Sequence, residues 1–397
     1  VSKTAEVYRS FISERMMIYA HSLRYKIYAN LLVLSGLIAL LAGYSMYYFP
    51  AMNSVFHFMP LLLLPLCRFS VLFSIRNFPY AVLYSCSWFF LFAVSSFHAE
   101  RLVDVFLYVV VLWGSVFIAL RDEYKQYIFD CFVRCLACVF FVSLLEYFVL
   151  QLTGFSISLG VLHRSEDFWG EYNQLLFNVS HLGTYGARFQ SLAEEPGVVG
   201  TLTAFLLCTL DTKRYKKERY VFWVAGLLSF SMAFYVMMLL YYVLSVKKVF
   251  RLVAIGVCVL IFALIFQNQF QEQVFDRITG EAEFDTRTHD QFESLYEIAK
   301  ARGDLWLGCG YGSHLVKLEG SGEGNAGMYP FIYEYGYIGA FVILSVFSWI
   351  SLRLNGASKE SLIILVVFLA SFYQRANIYI SPNIIVLFAY SLQKRIN

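Results

Sequence analysis

The residue types best suited to chemistry lie in two long polar stretches, residues 151–195 and 268–329, of an otherwise apolar chain. Over the whole chain 59% of the residues are hydrophobic and only 15% are charged, whereas about a quarter of a typical soluble domain is charged. This composition excludes an ordinary water-soluble fold, because only a bilayer can keep so much apolar surface from water. The few charges within the polar stretches are therefore candidates for binding and catalysis.

The first polar stretch ends in RFQSLAEEPGVVG, at positions 188–200. If this segment is helical, Arg188, Ser191 and Glu195 share one stripe of the helix. Glu194 then points about 100° away from that stripe. An arginine and a carboxylate on one stripe can bind an anion and accept a proton.

A second interpretation of the same motif is purely structural. Glu195 comes directly before Pro196, and an acidic residue followed by proline is typical of a helix N-terminus. The two interpretations are compatible, and both are carried forward.

The second polar stretch predicts a helix on the outer surface. TRTHDQFESLYEIAKAR, at positions 286–302, places apolar residues at helical spacing, which is typical of an amphipathic helix. Arg287 lies just before this helix and could reach a phosphate. The alternative for Arg287 is a solvated charge near an aspartate, which contributes little energy. The apolar positions are Phe292, Leu295, Tyr296 and Ala299.

A glycine-rich turn, GCGYGSH at positions 308–314, follows that helix. No Lys-Ser/Thr pair follows and no strand precedes it, which argues against a nucleotide-binding loop. A tight turn that presents backbone N–H groups to an anion stays open. His314 could titrate near neutral pH, although a lone loop histidine is more often structural or simply exposed. Glu334 lies one turn into the next apolar helix, where a carboxylate usually faces a cavity or a partner.

The elements that must position these residues are membrane helices. A bilayer core needs about 20 apolar residues per helix, so the apolar runs predict an all-α, polytopic transmembrane bundle of about twelve crossings. The segment 220–246 is too long for one upright pass and is predicted to be two short helices that turn near 229–232. The other predicted spans are 27–49, 51–67, 78–97, 102–120, 128–150, 196–210, 252–267, 330–352, 361–373 and 382–392.

Basic residues give the orientation. The loop 211–219 is rich in Lys and Arg, and a second basic cluster follows at 247–251. Basic loops are usually cytoplasmic. The two clusters can both be cytoplasmic only if the segment between them crosses the membrane twice. Both termini are then cytoplasmic and both polar stretches are periplasmic loops. The predicted organisation is a cytoplasmic or interfacial N-terminus (1–26), five transmembrane helices (27–150), a first periplasmic loop (151–195), further helices with the paired turn (196–267), a second periplasmic loop (268–329) and C-terminal helices (330–397).

Three smaller expectations complete the pattern. Residues 1–26 carry charges throughout, so no cleavable signal peptide is expected. Asp130 and Arg134, four positions apart on a predicted helix, are expected to neutralise each other. Cys131, Cys135 and Cys138 share one helical face, and we interpret them as packing residues rather than metal ligands.

Four motifs together resemble the oligosaccharide repeat-unit (O-antigen or capsule, Wzy-type) polymerases and the related O-antigen ligases. The segment 188–200 is similar to the family's Arg-x-x-Ser and Glu/Asp-Pro pattern before a helix. LSFSMAFYVMMLL, at 228–240, resembles its serine-rich turn between two helices. The segment 286–314 resembles its arginine, surface helix and Gly-x-Gly turn. GNAGMYPFIYEYGYIGAF, at 324–341, resembles its Asn and Glu-x-Gly-x-x-Gly pattern.

Two departures from the family pattern matter. Met232 stands where the family's turn often carries an arginine, so one phosphate contact would come from elsewhere, with Arg375 as the candidate. The ligase branch usually shows His-Asn at the late motif, but here Gly324 precedes Asn325, which favours a polymerase. Whether His314 substitutes for that histidine stays open.

The resemblance implies a glycosyltransferase-C-like enzyme that uses no metal and no cofactor. Its donor would be a glycan linked through diphosphate to undecaprenol, and its acceptor a single lipid-linked repeat unit, at the periplasmic face of the bacterial inner membrane. The resemblance also implies membrane lipids and a chain-length regulator protein as further partners. It does not imply nucleic acid as a partner. Glu195 is the implied base, with His314 second. Arginines would hold the diphosphate as charge develops on it, namely Arg188, Arg287, Arg302 and Arg375. Further candidates for the site are Glu194, Asn325, Tyr329 and Glu334.

Three other functions compete with this one. An O-antigen ligase would transfer finished glycan to lipid A core. A lipid-linked oligosaccharide flippase should line a central path with charges in both halves and show an internal repeat, and no repeat is visible. A structural membrane subunit would not explain two long loops that hold most of the outer arginines.

Overall fold

The computed structural model describes residues 25–38, 52–94, 102–155, 157–163, 171–181, 188–193, 195–245, 290–310, 313, 327–374 and 381–394. These residues are predominantly helical, which confirms the predicted all-α class. Helices occupy every predicted span in the described part of the chain, and the predicted span 252–267 lies outside it. The helices are α1 (Tyr25–Ile38), α2 (Met52–Leu63), α3 (Phe69–Leu72), α4 (Phe78–Val94), α5 (Leu102–Ala119), α6 (Asp122–Thr153), α7 (Pro196–Thr209), α8 (Lys216–Leu228), α9 (Met232–Ser245), α10 (Asp290–Arg302), α11 (Met328–Asn355), α12 (Lys359–Gln374) and α13 (Ser381–Ala389).

Short 3-10 turns and one small sheet complete the described structure. The 3-10 turns are Leu64–Leu66, Asp304–Trp306 and Tyr390–Lys394. The sheet is antiparallel, in the order β1 (Ser158–His163), β2 (Glu171–Leu175) and β3 (Val179–His181). It lies in the first polar stretch and was not predicted from the sequence, since its strands are short and mix polar with apolar residues.

Two of the described helices, α6 and α11, are long and apolar enough to cross a membrane by length and composition. The other apolar helices in the described ranges are shorter. Large apolar side chains on α6 point away from the protein, among them Phe141, Leu145 and Phe148. On α11, Phe341 is 72% exposed. Contiguous apolar surface of this kind is rare on a soluble monomer.

Helix α13 lies at the centre of the bundle. Every residue from Ser381 to Ala389 except Asn383 is buried, and the helix packs against α5, α6, α7 and α11. Helix α12 joins two neighbours through aromatic rings: Phe368 contacts Phe205 of α7, and Phe372 contacts Phe331 of α11. The segments that carry the candidate site residues, α7 and α11, are thereby fixed to the same two helices.

Helices α8 and α9 form the expected hairpin. The first ends at Leu228 and the second begins at Met232, so the chain turns at residues 229–231, where the turn near 229–232 was predicted. The two helices approach closely because Gly226 leaves room for the ring of Phe234, which a Cβ at that position would overlap.

One ion pair differs from the expectation. Asp130 does not pair with Arg134, which is exposed; it pairs with Arg214 and accepts a hydrogen bond from the hydroxyl of Tyr215. Burial and this bond to Asp130 raise the pKa of Tyr215 above its usual range. The basic loop before α8 is thus tied to α6.

Cys135 and Cys138 of α6 are exposed, so they do not pack within the chain as expected.

Candidate functional site

The segment before α7 is not helical, so the predicted stripe of Arg188, Ser191 and Glu195 does not form. Ser191 has a φ of 54°, in the left-handed region, which a helix cannot accommodate. The Nε2 group of Gln190 donates to the carbonyl of Ala193 over 2.9 Å and closes a tight turn there. The physical reason for the difference is that this backbone is used for contacts with neighbouring helices.

Arg188 binds the turn between α8 and α9. Its Nε donates to the carbonyl of Ser229 at 2.9 Å, and its Nη2 donates to the carbonyl of Phe230 at 3.2 Å. Next to it, the N–H of Phe189 donates to the carbonyl of Leu228 at 2.8 Å. A guanidinium has five N–H donors, so these two carbonyls use part of its capacity. Two motifs that are about forty residues apart in the sequence therefore meet at one place, which we call the arginine turn (residues 188–193 and 229–231).

Helix α7 begins against the arginine turn. A Cβ on Gly200 would overlap the side chains of Ser229 and Ser231, and both serines are buried. The glycine one turn into α7 therefore sets how closely this helix approaches the hairpin. The first residues of α7 are brought to the same place as Arg188.

Glu195 is the residue that precedes the first turn of α7. Its backbone is extended, Pro196 occupies the first helical position, and the carboxylate makes no capping hydrogen bond to the helix. Its carbonyl accepts the N–H of Val198 at 3.1 Å. The helix N-terminus interpretation is confirmed for the backbone. The side chain does not serve as the cap, and a negative charge in this position is favoured by the helix dipole.

The other side of the arginine turn is anchored on the end of α6. Ser143 bonds to the Ser191 hydroxyl at 2.8 Å. The carboxylate of Glu146 accepts the N–H groups of Leu176 and Phe177, at 3.0 and 2.8 Å, and the Nδ2 of Asn178 at 2.9 Å. One carboxylate thus fixes the β2–β3 connection. The sequence offered one signal for this role, an acidic residue near the end of a predicted span.

The second region confirms the predicted amphipathic helix, as α10. Phe292, Tyr296 and Ala299 are buried, whereas Glu293, Glu297 and Lys300 are exposed on the opposite face. The buried face lies on α11, where the ring of Phe292 contacts that of Tyr333 at 5.6 Å. Arg302 is exposed in the last turn, where a positive charge stabilises the helix C-terminus.

Helix α11 is broken at Gly336, whose φ of 73° and ψ of 171° are not helical. In a regular helix the carbonyls of Tyr333 and Glu334 would accept N–H groups from residues four positions later. Here they accept the N–H groups of Cys309, at 2.7 Å, and Gly310, at 3.1 Å. The loop after α10 therefore supplies the hydrogen bonds that the break removes.

The glycines of the 308–314 motif serve this contact. A Cβ on Gly308 would overlap the backbone at Glu334, and one on Gly336 would meet the backbone of Trp306, Leu307 and Gly308. The N–H of Gly308 itself donates to the carbonyl of Asp304 at 2.8 Å. The N–H groups of residues 308–310 are thus directed to carbonyls and not to an anion. The spacing of the glycines predicted a tight turn that could bind an anion. In the structure this turn donates hydrogen bonds to the broken part of α11 instead.

Glu334 is a buried carboxylate, with 8% of its surface exposed. It lies two residues before the break in α11. Tyr329, five residues earlier, is 45% exposed and its ring meets that of Tyr296 edge-on. An ionisable residue beside an interrupted membrane helix is typical of a functional site.

The predicted site residues thus fall into two described groups. Arg188 and Glu195 lie at the arginine turn and the start of α7, and Arg302, Tyr329 and Glu334 lie around α10 and the break in α11. The other predicted site residues lie outside the described residues: Glu194, Arg287, His314, Asn325 and Arg375. Within the described ranges, no group of three His, Cys, Asp or Glu side chains could hold a metal ion.

The sequence matches no family model, and no curated protein or solved structure matches it either.

Proposed function

We propose that this protein polymerises undecaprenyl-diphosphate-linked oligosaccharide repeat units at the periplasmic face of the bacterial inner membrane. The observation that carries the proposal is the meeting of Arg188 with the turn at 229–231 and the start of α7. Two of the four motifs that carry the resemblance to the polymerases lie in these segments. A shared site requires that these segments lie together in the fold, and their separation in the sequence alone did not predict that contact.

The proposed reaction is a single transfer at a sugar C1. The attacking hydroxyl of the acceptor sugar forms a new C1–O bond while the bond between C1 and the diphosphate oxygen breaks. The hydroxyl proton passes to a carboxylate, for which Glu195 is the candidate. The diphosphate leaves on its lipid with the bonding electrons, and guanidinium groups stabilise that charge. Arg188 is the candidate at the arginine turn, with Arg287, Arg302 and Arg375 as further donors.

The proposed topology is a bundle of about twelve crossings with both termini in the cytoplasm. The exposed apolar surfaces of α6 and α11 support contact with lipid. A helix whose length is less than the thickness of the bilayer is tolerated where neighbouring parts of the protein cover its ends. With that orientation, the arginine turn and the break in α11 lie on the periplasmic side.

A deletion strain that makes its own repeat unit tests the proposal directly. We expect surface polysaccharide that carries a single repeat unit, because export and ligation continue while polymerisation stops. Gel electrophoresis of the surface glycan gives the answer. Long chains that stay on undecaprenyl diphosphate would instead indicate a ligase, and repeat units trapped on the cytoplasmic side would indicate a flippase; either result overturns the polymerase.

The substitution Glu195→Gln tests the base. It keeps the shape of the side chain and the extended backbone before Pro196, so the protein should fold and reach the membrane at its normal level. We expect polymer formation to fall by about 100-fold or more, as for loss of a general base. Glu293→Gln is the matched control, since Glu293 is exposed on the outer face of α10 and has no part in the proposed site. Normal polymer from Glu195→Gln would transfer the role to His314.

A further inference from the structure

Four aromatic side chains form one surface where α10, the 304–306 turn and the first part of α11 meet. We call it the aromatic surface: Tyr296, Trp306, Tyr329 and Tyr337. The ring centroids of Tyr296 and Tyr329 are 5.3 Å apart, and those of Trp306 and Tyr337 are 5.7 Å apart. The hydroxyl groups of Tyr296 and Tyr337 lie 3.3 Å from each other and link the two pairs.

Three of these rings are open to a ligand. Trp306 is 63% exposed, Tyr329 45% and Tyr337 40%, while Tyr296 is buried beneath them. Both ring pairs pack edge-on, at interplanar angles of 86° and 68°. Because the rings hold one another in place, these side chains would lose little further freedom when a ligand binds.

The border of the aromatic surface is charged and balanced in sign. Lys300 pairs with Glu297 at 2.8 Å, and both are more than half exposed. The hydrogen bond from Lys300 to Glu297 raises the pKa of the lysine, so it stays charged. Arg302 and Asp304 add one exposed charge of each sign. Exposed charges at this density require water, so this surface is not immersed in hydrocarbon.

The hydroxyl group of Tyr296 is a hydrogen-bond donor within the surface. Burial, followed by the hydrogen bond with Tyr337, raises the pKa of Tyr296 above its usual range, so the phenol is protonated at physiological pH. A tyrosine combines an apolar ring with a polar tip. Exposed rings, neutral hydroxyls and a border without net charge suit a neutral ligand rich in both C–H and O–H groups.

We propose that the aromatic surface binds the sugar rings of the glycan. This deepens the proposed function and rests on it. The exposed rings of Trp306 and Tyr337 would contact the C–H faces of successive sugars, and the tyrosine hydroxyls and border charges would bond to sugar hydroxyls. A polymerase that holds the glycan between transfers adds more units before release. The aromatic surface would therefore set the length of the product rather than the chemistry of each step.

The test uses the full chain in lipid nanodiscs and the free, unlinked repeat-unit oligosaccharide as the probe. We expect Trp306→Ala to weaken oligosaccharide binding by about threefold to tenfold, the value of an aromatic contact, and to shift surface polymer to shorter chains. Trp306→Phe should restore part of both. Phe341→Ala is the matched control, because Phe341 is an exposed aromatic residue five positions from the break in the same helix.

Three outcomes of these experiments would overturn one of the two proposals. Unchanged binding and chain length in Trp306→Ala would overturn the glycan site and leave these residues as an interfacial belt against lipid headgroups. Equal losses in Trp306→Ala and Phe341→Ala would overturn it as well, since both would then act through the membrane. Normal polymer in the deletion strain, with oligosaccharide binding that depends on Trp306, would overturn the polymerase and leave the glycan site standing.

Discussion

Replacing Gly336 with alanine is expected to abolish polymer formation and to reduce the amount of folded protein. Gly336 has a backbone conformation that is almost restricted to glycine, and a non-glycine residue there costs about 1–3 kcal/mol. The added Cβ would also lie 2.5 Å from the carbonyl oxygen of Trp306 and 2.6 Å from the backbone nitrogen of Gly308. To remove that overlap the loop must leave the helix, and the carbonyls of Tyr333 and Glu334 then lose the N–H groups of Cys309 and Gly310.

The matched control is Gly356→Ala at the end of the same helix. Gly356 also has a positive φ, 85°, but a Cβ there meets nothing within 4 Å. It therefore carries the conformational cost without the overlap. Thermal unfolding in detergent and a polymer gel give the two readouts. We expect Gly356→Ala to keep polymer and Gly336→Ala to lose it. Equal behaviour of the two variants would show that the contact between the loop and the helix break does not matter.

The helices were predictable because their signal is local. An apolar run of membrane length can be read from the sequence alone. The basic clusters on both sides of 220–246 favoured a pair of helices there, and the turn predicted near 229–232 lies between α8 and α9 at 229–231. The buried face of α10 was equally clear from the spacing of Phe292, Tyr296 and Ala299. These features need no knowledge of what lies across the fold.

The predictions that were wrong concern residues whose partners are distant in the chain. Asp130 was assigned to Arg134, four residues away, but its partner Arg214 is 84 positions away. The glycines at 308 and 310 suggested an anion-binding turn, since nothing local shows that a helix break more than twenty residues later needs the N–H groups of Cys309 and Gly310. A left-handed serine at 191 is likewise imposed by contacts with Ser143 and Val179 rather than by its own preference.

The site was predictable in its residue types and less so in its geometry. Arg188 was expected to share a helical stripe with Glu195 and to face substrate. The structure keeps the two close in the chain but directs part of the guanidinium to backbone carbonyls. The arginine therefore has a structural role that the sequence did not suggest, and any test of its chemistry has to separate the two roles.

The substitution Arg188→Ala is expected to abolish polymer and also to lower thermal stability. From the sequence alone one expects lost polymer in a normally folded protein, because an arginine at a predicted membrane boundary contributes little packing. The structure changes this expectation: removal takes away the two hydrogen bonds that Arg188 donates to the carbonyls of Ser229 and Phe230, and each such bond contributes about 1 kcal/mol. The α8–α9 turn would then loosen against Gly200 and the start of α7.

Arg188→Lys separates the structural role from the chemical one. The ammonium keeps the charge and can bond to a carbonyl, but it lacks the planar pair of donors that suits a diphosphate. We expect its thermal unfolding to lie near that of the unmodified protein while polymer stays low. Arg134→Ala, at an exposed position outside the proposed site, is the stability control. Full polymer from Arg188→Lys would mean that a positive charge suffices, and full polymer from Arg188→Ala would remove Arg188 from the reaction. Low polymer with intact folding in Arg188→Lys is the one result that assigns the guanidinium itself to the leaving diphosphate, because only there is the turn preserved while the fork of donors is lost.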